Sequence, residues 1–181
     1  TNILLVALMV ALLFLYVGVE MGFGGWIFTY ATETNIANEA GAALMTSIFW
    51  GALTLGRFLS IPLAKKLALT KILLGNFILA IFFLIIILVF PIQPGVIWIS
   101  SAGLGLALSS VFPTVLSLGE SRMKITGKIT GLFFIGTSLG GSLIPMMLGQ
   151  IFEYVGSYQI MIALLVTTVT GFVVLMTVIH T

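Results

Sequence analysis

Apolar runs long enough to cross a membrane recur from one end of this sequence to the other. A bilayer core is roughly 30 Å thick, and a helix needs about 20 mostly apolar residues to span it. Six such stretches are readable, at about 3–31, 40–64, 71–91, 95–118, 127–150 and 158–179. Of the 181 residues 60 % are hydrophobic and only 7 % are charged, so a water-soluble domain is excluded. The runs are continuous rather than alternating, which excludes a β-barrel. The connections between them are a handful of residues each and leave no room for a soluble domain. The expected fold is an all-α, integral, multi-pass membrane protein in contact with the lipid bilayer.

Charge gives the orientation. All seven basic residues fall on one side of the six-helix plan: Arg57, Lys65, Lys66 and Lys71 at the second turnaround, Arg122, Lys124 and Lys128 at the fourth. The other turnarounds carry Glu33, Glu39 and Glu153 and no Lys or Arg. By the positive-inside rule the basic loops and both termini are cytoplasmic. The net charge of +2 therefore reflects topology, and no nucleic-acid partner is expected. The first run is too long for a signal peptide and lacks its basic flank and small-residue cleavage site, so it is expected to stay in the mature chain. The chain begins at Thr1 without Met and stops just after a helix, as expected of a piece of something longer.

Two helices echo each other. "TLGRFL" at 54–59 and "SLGGSL" at 138–143 share Leu, Gly and Leu at an offset of 84 residues. The same offset maps the first helix on the fourth and the third on the sixth. Two three-helix units of opposite topology are a common plan for transporter domains. The reading is a single six-helix domain over 1–181, with repeat one at about 1–91 and repeat two at about 92–181. Glycine is concentrated in the first, second, fourth and fifth helices, with Gly18/Gly22, Gly127/Gly131 and Gly136/Gly140 each spaced by four. These four helices should pack tightly or move against neighbours. The third and sixth, bulky all round, should face lipid.

Within the first helix, "LYVGVEMGFGGWIFTYA" places one carboxylate, Glu20, in an otherwise apolar, aromatic or Gly run. Counted from the helix start it lies about 25 Å in, near the midplane, at about 1.5 Å per residue. A charge there costs on the order of 3 kcal/mol even on the lenient insertion scale, so it should face a partner or a watery cavity. A buried acid is also a candidate proton carrier. The helix face around it holds Tyr16, Phe23, Gly24 and Ile27, with Trp26, Thr29 and Tyr30 further out. Aromatic rings beside a carboxylate suit a polyhydroxylated ligand, since C–H faces stack while hydroxyls bond polar groups. Tyr30 reads better as an interfacial anchor.

Arg57 lies near the cytoplasmic end of the second helix, about 12 Å in. The depth difference from Glu20 predicts that the two do not pair directly. Glu120 is the expected partner for Arg57 or for Lys65 and Lys66, in a cytoplasmic gate or charge network that includes Arg122. In the fourth helix, "ALSSVFPTVLSLGE", Pro113 cannot donate a backbone hydrogen bond and should bend the chain. The freed carbonyls are then available to solute, water, Ser109 or Ser110, with Thr114 on the same segment. Pro62 and Pro145 should bend the second and fifth helices likewise, while Asn76 sits too near the cytoplasm for solute contact.

Catalysis has no candidates. The single His is His180, Asp and Cys are absent, and no phosphate loop or metal-spaced cluster occurs. No enzyme activity, cofactor or metal is expected.

These residues carry a resemblance. "FLYVGVEMGFGGWIFTYAT" with "SIFWGALTLGR" resembles the seventh and eighth helices of the sodium-dependent glucose transporter-like branch of the major facilitator superfamily. "FPTVLSLGE" is similar to the tenth helix of that branch and of the related fucose permeases, and "GTSLGGSLIP" to the eleventh. The resemblance implies the C-terminal half of a twelve-helix fold that moves hexoses or similar small solutes by alternating access, coupled to protons or sodium. It implies too that the chain pairs with an N-terminal six-helix half, or with a second copy of itself. On this reading Glu20 binds a solute hydroxyl or the coupling ion. Two rivals stand beside it: a drug or metabolite antiporter, in which an acid among aromatics binds a cation, and a non-transporting membrane scaffold or assembly subunit.

Overall fold

The computed structural model describes residues 3–181; Thr1 and Asn2 lie outside it. The described chain is helical with no strand: α1 (Ile3–Glu33), α2 (Glu39–Ala64), α3 (Leu69–Val89), α4 (Pro94–Leu108), α5 (Val111–Arg122), α6 (Gly127–Tyr154) and α7 (Tyr158–His180). Taking α4 and α5 as one interrupted span, six are long and apolar enough to cross a membrane.

Local chemistry sets the ends. Asn38 caps α2 by accepting the Gly41 N–H at 2.9 Å, and Thr126 caps α6 through the Ile129 N–H at 3.5 Å. Pro94 opens α4, where its missing N–H costs nothing. The turns after α1 and α6 use Asn35 (φ 55°) and Gly156 (φ 124°), a left-handed backbone that suits these two residues.

The expected bend appears as an interruption. Helix α4 stops at Leu108 and α5 begins at Val111, two residues before Pro113. The Pro113 ring clashes with the carbonyl four residues back, that of Ser109, and offers it no donor. Side chains take up part of the slack: Ser109 Oγ donates to the Leu106 carbonyl at 2.7 Å and Thr114 Oγ1 to the Ser110 carbonyl at 2.6 Å. At the other two prolines the helices are not interrupted: α2 runs on through Pro62, which lies within its last turn, and α6 runs on through Pro145.

Helix α1 is a hub that packs against α2, α5, α6 and α7. The contacts interchange under the 84-residue offset. As α1 lies on α6 and α7, so α4 lies on α2 and α3, while α3 and α7 meet each other. Without a hydrophobic drive between helices in lipid, close approach depends on small residues. Gly136 and Gly140 lie against the backbone of Val10 and Phe14 on α1, and Gly18 and Gly22 against Ile144 and Leu148 on α6. The pair Gly127/Gly131 differs from expectation, because space around both is open. Helices α3 and α7 each have a buried and an exposed face. Leu73, Phe77, Ala80, Leu84 and Ile87 form a buried stripe on α3, and Phe77 meets Phe172 of α7 with ring centroids 6.4 Å apart. The other face, with Ile78, Phe82 and Ile85, is exposed.

Candidate functional site

Glu20 is buried, with 5 % of its surface exposed, midway along α1 where α2 and the α4–α5 break approach it. A cavity of about 400 Å³ opens beside it, lined by Tyr16, Val17, Glu20, Met21, Arg57, Phe112 and Pro113. The Tyr16 hydroxyl, one turn back on the same face, contacts Glu20 Oε2 and lies 3.1 Å from the Leu108 carbonyl oxygen. Arg57 reaches in from α2, with Nη2 at 3.7 Å from Glu20 Oε1 and half of its side chain exposed. The site thus joins one acid, one base and one phenol from two helices to a helix terminus of a third.

The pairing of Arg57 with Glu20 corrects the depth argument. Depths counted from the cytoplasmic ends assume that α1 and α2 begin in one plane. Their shared reference is the short turn joining them. From that turn Glu20 lies thirteen residues inward and Arg57 eighteen, an axial gap of only about 7.5 Å, which an arginine and a glutamate can bridge. The network expected with Glu120 is absent among the described residues. Glu120, Lys65 and Lys66 are exposed, and none makes an ion pair. Arg122 is engaged elsewhere: its guanidinium donates to the carbonyls of Val178 at 2.5 Å and Ile179 at 3.3 Å, closing the C-terminal end of α7.

Other expected contacts separate from the cavity. Phe23 packs on Phe49 of α2 with centroids 5.1 Å apart, and Gly24 lies against Phe49 and Trp50. The Trp26 indole N–H donates to the Pro145 carbonyl at 3.1 Å and its ring meets Phe152, so it joins α1 to α6. Thr29, half-buried further out, is not among the cavity lining. The Ser109 and Thr114 hydroxyls serve their own backbone, and Ser110 Oγ accepts from Asn76 Nδ2 of α3 at 2.7 Å. Asn76 therefore braces the break from α3. Tyr30 is fully buried, donating to the Pro91 carbonyl at 3.0 Å, and is no interfacial anchor.

Of the residues expected to bind solute, Glu20 lines the cavity, and Arg57 joins it from the expected charge network. Tyr16 was visible at i−4 of Glu20, whereas Phe112 had no signal beyond standing before Pro113.

No protein-family model matches the chain. Over 151 residues it is 29 % identical to major facilitator superfamily domain-containing protein 4A of Homo sapiens, covering 83 % of this chain and 29 % of that protein. Sodium-dependent glucose transporter 1 of Danio rerio is 30 % identical over 86 % of this chain and 26 % of its own length. Sodium-dependent glucose transporter 1A of Mus musculus is 35 % identical over 80 % and 34 %. The chain thus spans about a third or less of the relatives it matches. Over most of its length the chain is similar, at 29–35 % identity, to proteins named as major facilitator superfamily domain-containing proteins and sodium-dependent glucose transporters, and its six apolar spans are consistent with a half of that fold.

Proposed function

We propose that this chain is the C-terminal six-helix half of a secondary transporter that moves a hexose or similar small solute by alternating access, with Glu20 in the working site. The observation that carries the reading is a buried carboxylate, paired with Arg57 and Tyr16, on the wall of a cavity within membrane-spanning helices. An acid kept at that depth is expensive unless it is used. The relatives named sodium-dependent glucose transporters support a hexose as solute and sodium as the coupling ion, while the buried acid itself suits protons as the alternative. The positive charge of Arg57 offsets that of Glu20, which favours a neutral polyhydroxylated solute over a cationic drug. One wall needs an opposite wall, supplied by an N-terminal six-helix half or by a second copy. The basic loops favour cytoplasmic termini.

The test is uptake of labelled glucose, fucose and related hexoses into proteoliposomes holding the full-length protein, with and without proton and sodium gradients. Gradient-driven uptake abolished by Glu20→Gln is expected. No uptake of any hexose by the correctly assembled parent would refute sugar transport.

A further inference from the structure

The contacts of Tyr16 pose a counting problem. A phenol has one proton to donate, and the structure sets its oxygen against two groups that accept: a Glu20 carboxylate oxygen and the Leu108 carbonyl oxygen. With Glu20 ionised, only one of these contacts can be a hydrogen bond. The carboxylate is the stronger acceptor and takes the proton, leaving Leu108 unbonded by Tyr16. With Glu20 protonated both are satisfied, because the Glu20 O–H donates to the Tyr16 oxygen and the Tyr16 O–H donates to Leu108.

Leu108 is the last residue of α4, where the helical ladder is interrupted before α5. Arg57 weighs on the other side of the balance, since its attraction to Glu20 at 3.7 Å exists only while Glu20 is charged. We infer that Tyr16 is a positioning residue that reports the charge of Glu20 to the α4–α5 break. The ionised acid ties α1 to α2 through Arg57, and the protonated acid ties α1 to the end of α4 through Tyr16 and Leu108. The groups facing Glu20 are few. Arg57 comes from α2, and α5 offers Phe112 and Pro113. Around Gly18 and Gly22, α6 and α7 present Ile144, Leu148 and Leu164, none of which titrates.

The inference rests on the proposed role of Glu20, and its test separates the two. In the full-length protein in lipid nanodiscs, spin labels on Ile3→Cys of α1 and Ser121→Cys of α5 read the position of the break. The infrared carboxylic-acid band lost in Glu20→Gln reads the protonation of Glu20. In the parent the label distance should change with pH at the midpoint of that band. In Tyr16→Phe the band should still titrate while the pH-linked distance change is lost. In Glu20→Gln the distance should stay at the low-pH value throughout. A Tyr16→Phe protein whose distance follows pH as fully as the parent overturns the inference. Should Tyr16→Phe not fold, ring-deuterated tyrosine in the parent reports the exchange of partners, and a tyrosine band indifferent to pH overturns it equally. Hexose uptake abolished by Glu20→Gln alongside an unchanged Tyr16→Phe distance response sinks this inference alone, whereas uptake indifferent to Glu20→Gln sinks the transport reading.

Discussion

Removing Arg57 should cost the protein more when Glu20 is present than when it is not. At 3.7 Å two unit charges attract by about 4.5 kcal/mol at an effective dielectric of about 20. Half of the Arg57 side chain is exposed, and solvent screening brings the expected coupling down to about 1–2 kcal/mol. Arg57→Gln leaves a buried carboxylate with Tyr16 as its remaining partner, while in Glu20→Gln the same change removes a guanidinium that has already lost its ion pair. The assay is a double-mutant cycle on the full-length protein, with unfolding in mixed micelles measured for the parent, both single variants and the double variant. Its pH dependence has a definite sign. The coupling needs an ionised Glu20, so it is full at alkaline pH and vanishes as the acid takes up a proton. A coupling within about 0.3 kcal/mol of zero at alkaline pH would refute the reasoning.

Two more outcomes follow from the packing. Gly140→Ala drives a methyl into the Phe14 carbonyl, backbone that cannot rotate aside, and should destabilise by about 1–3 kcal/mol, whereas Gly131→Ala, in open space, should stay within about 0.5 kcal/mol of the parent in thermal unfolding. Trp26→Phe keeps an aromatic ring beside Phe152 but loses the bond to Pro145, so it should cost about 1 kcal/mol of stability and leave the apparent KM for solute unchanged; a several-fold rise in KM would mean that the ring touches solute.

The spans and the isolation of Glu20 were legible because they depend on composition along a line. Twenty apolar residues announce a span whatever surrounds them, and a lone acid among them is costly in any packing. Pro113 likewise acts on its own previous turn, so its break was legible. The side-chain environment of the first helix was less so. Tyr16, Phe23 and Gly24 share a face with Glu20, yet only Tyr16 meets the cavity, because Phe49 and Trp50 of α2 close the outer part.

What the sequence by itself determined is the number of spans, the side that gathers the basic residues, and the helix that carries the buried acid. Only the tertiary structure decided that acid's company. Arg57 depends on where α2 turns back along α1, Leu108 on where the fourth span breaks, and Asn76 on how α3 lies against that break. Each is a contact between residues more than thirty positions apart. Such contacts follow from the register at which helices pack, and register is set by many small side-chain fits acting together, which no local window of the chain contains.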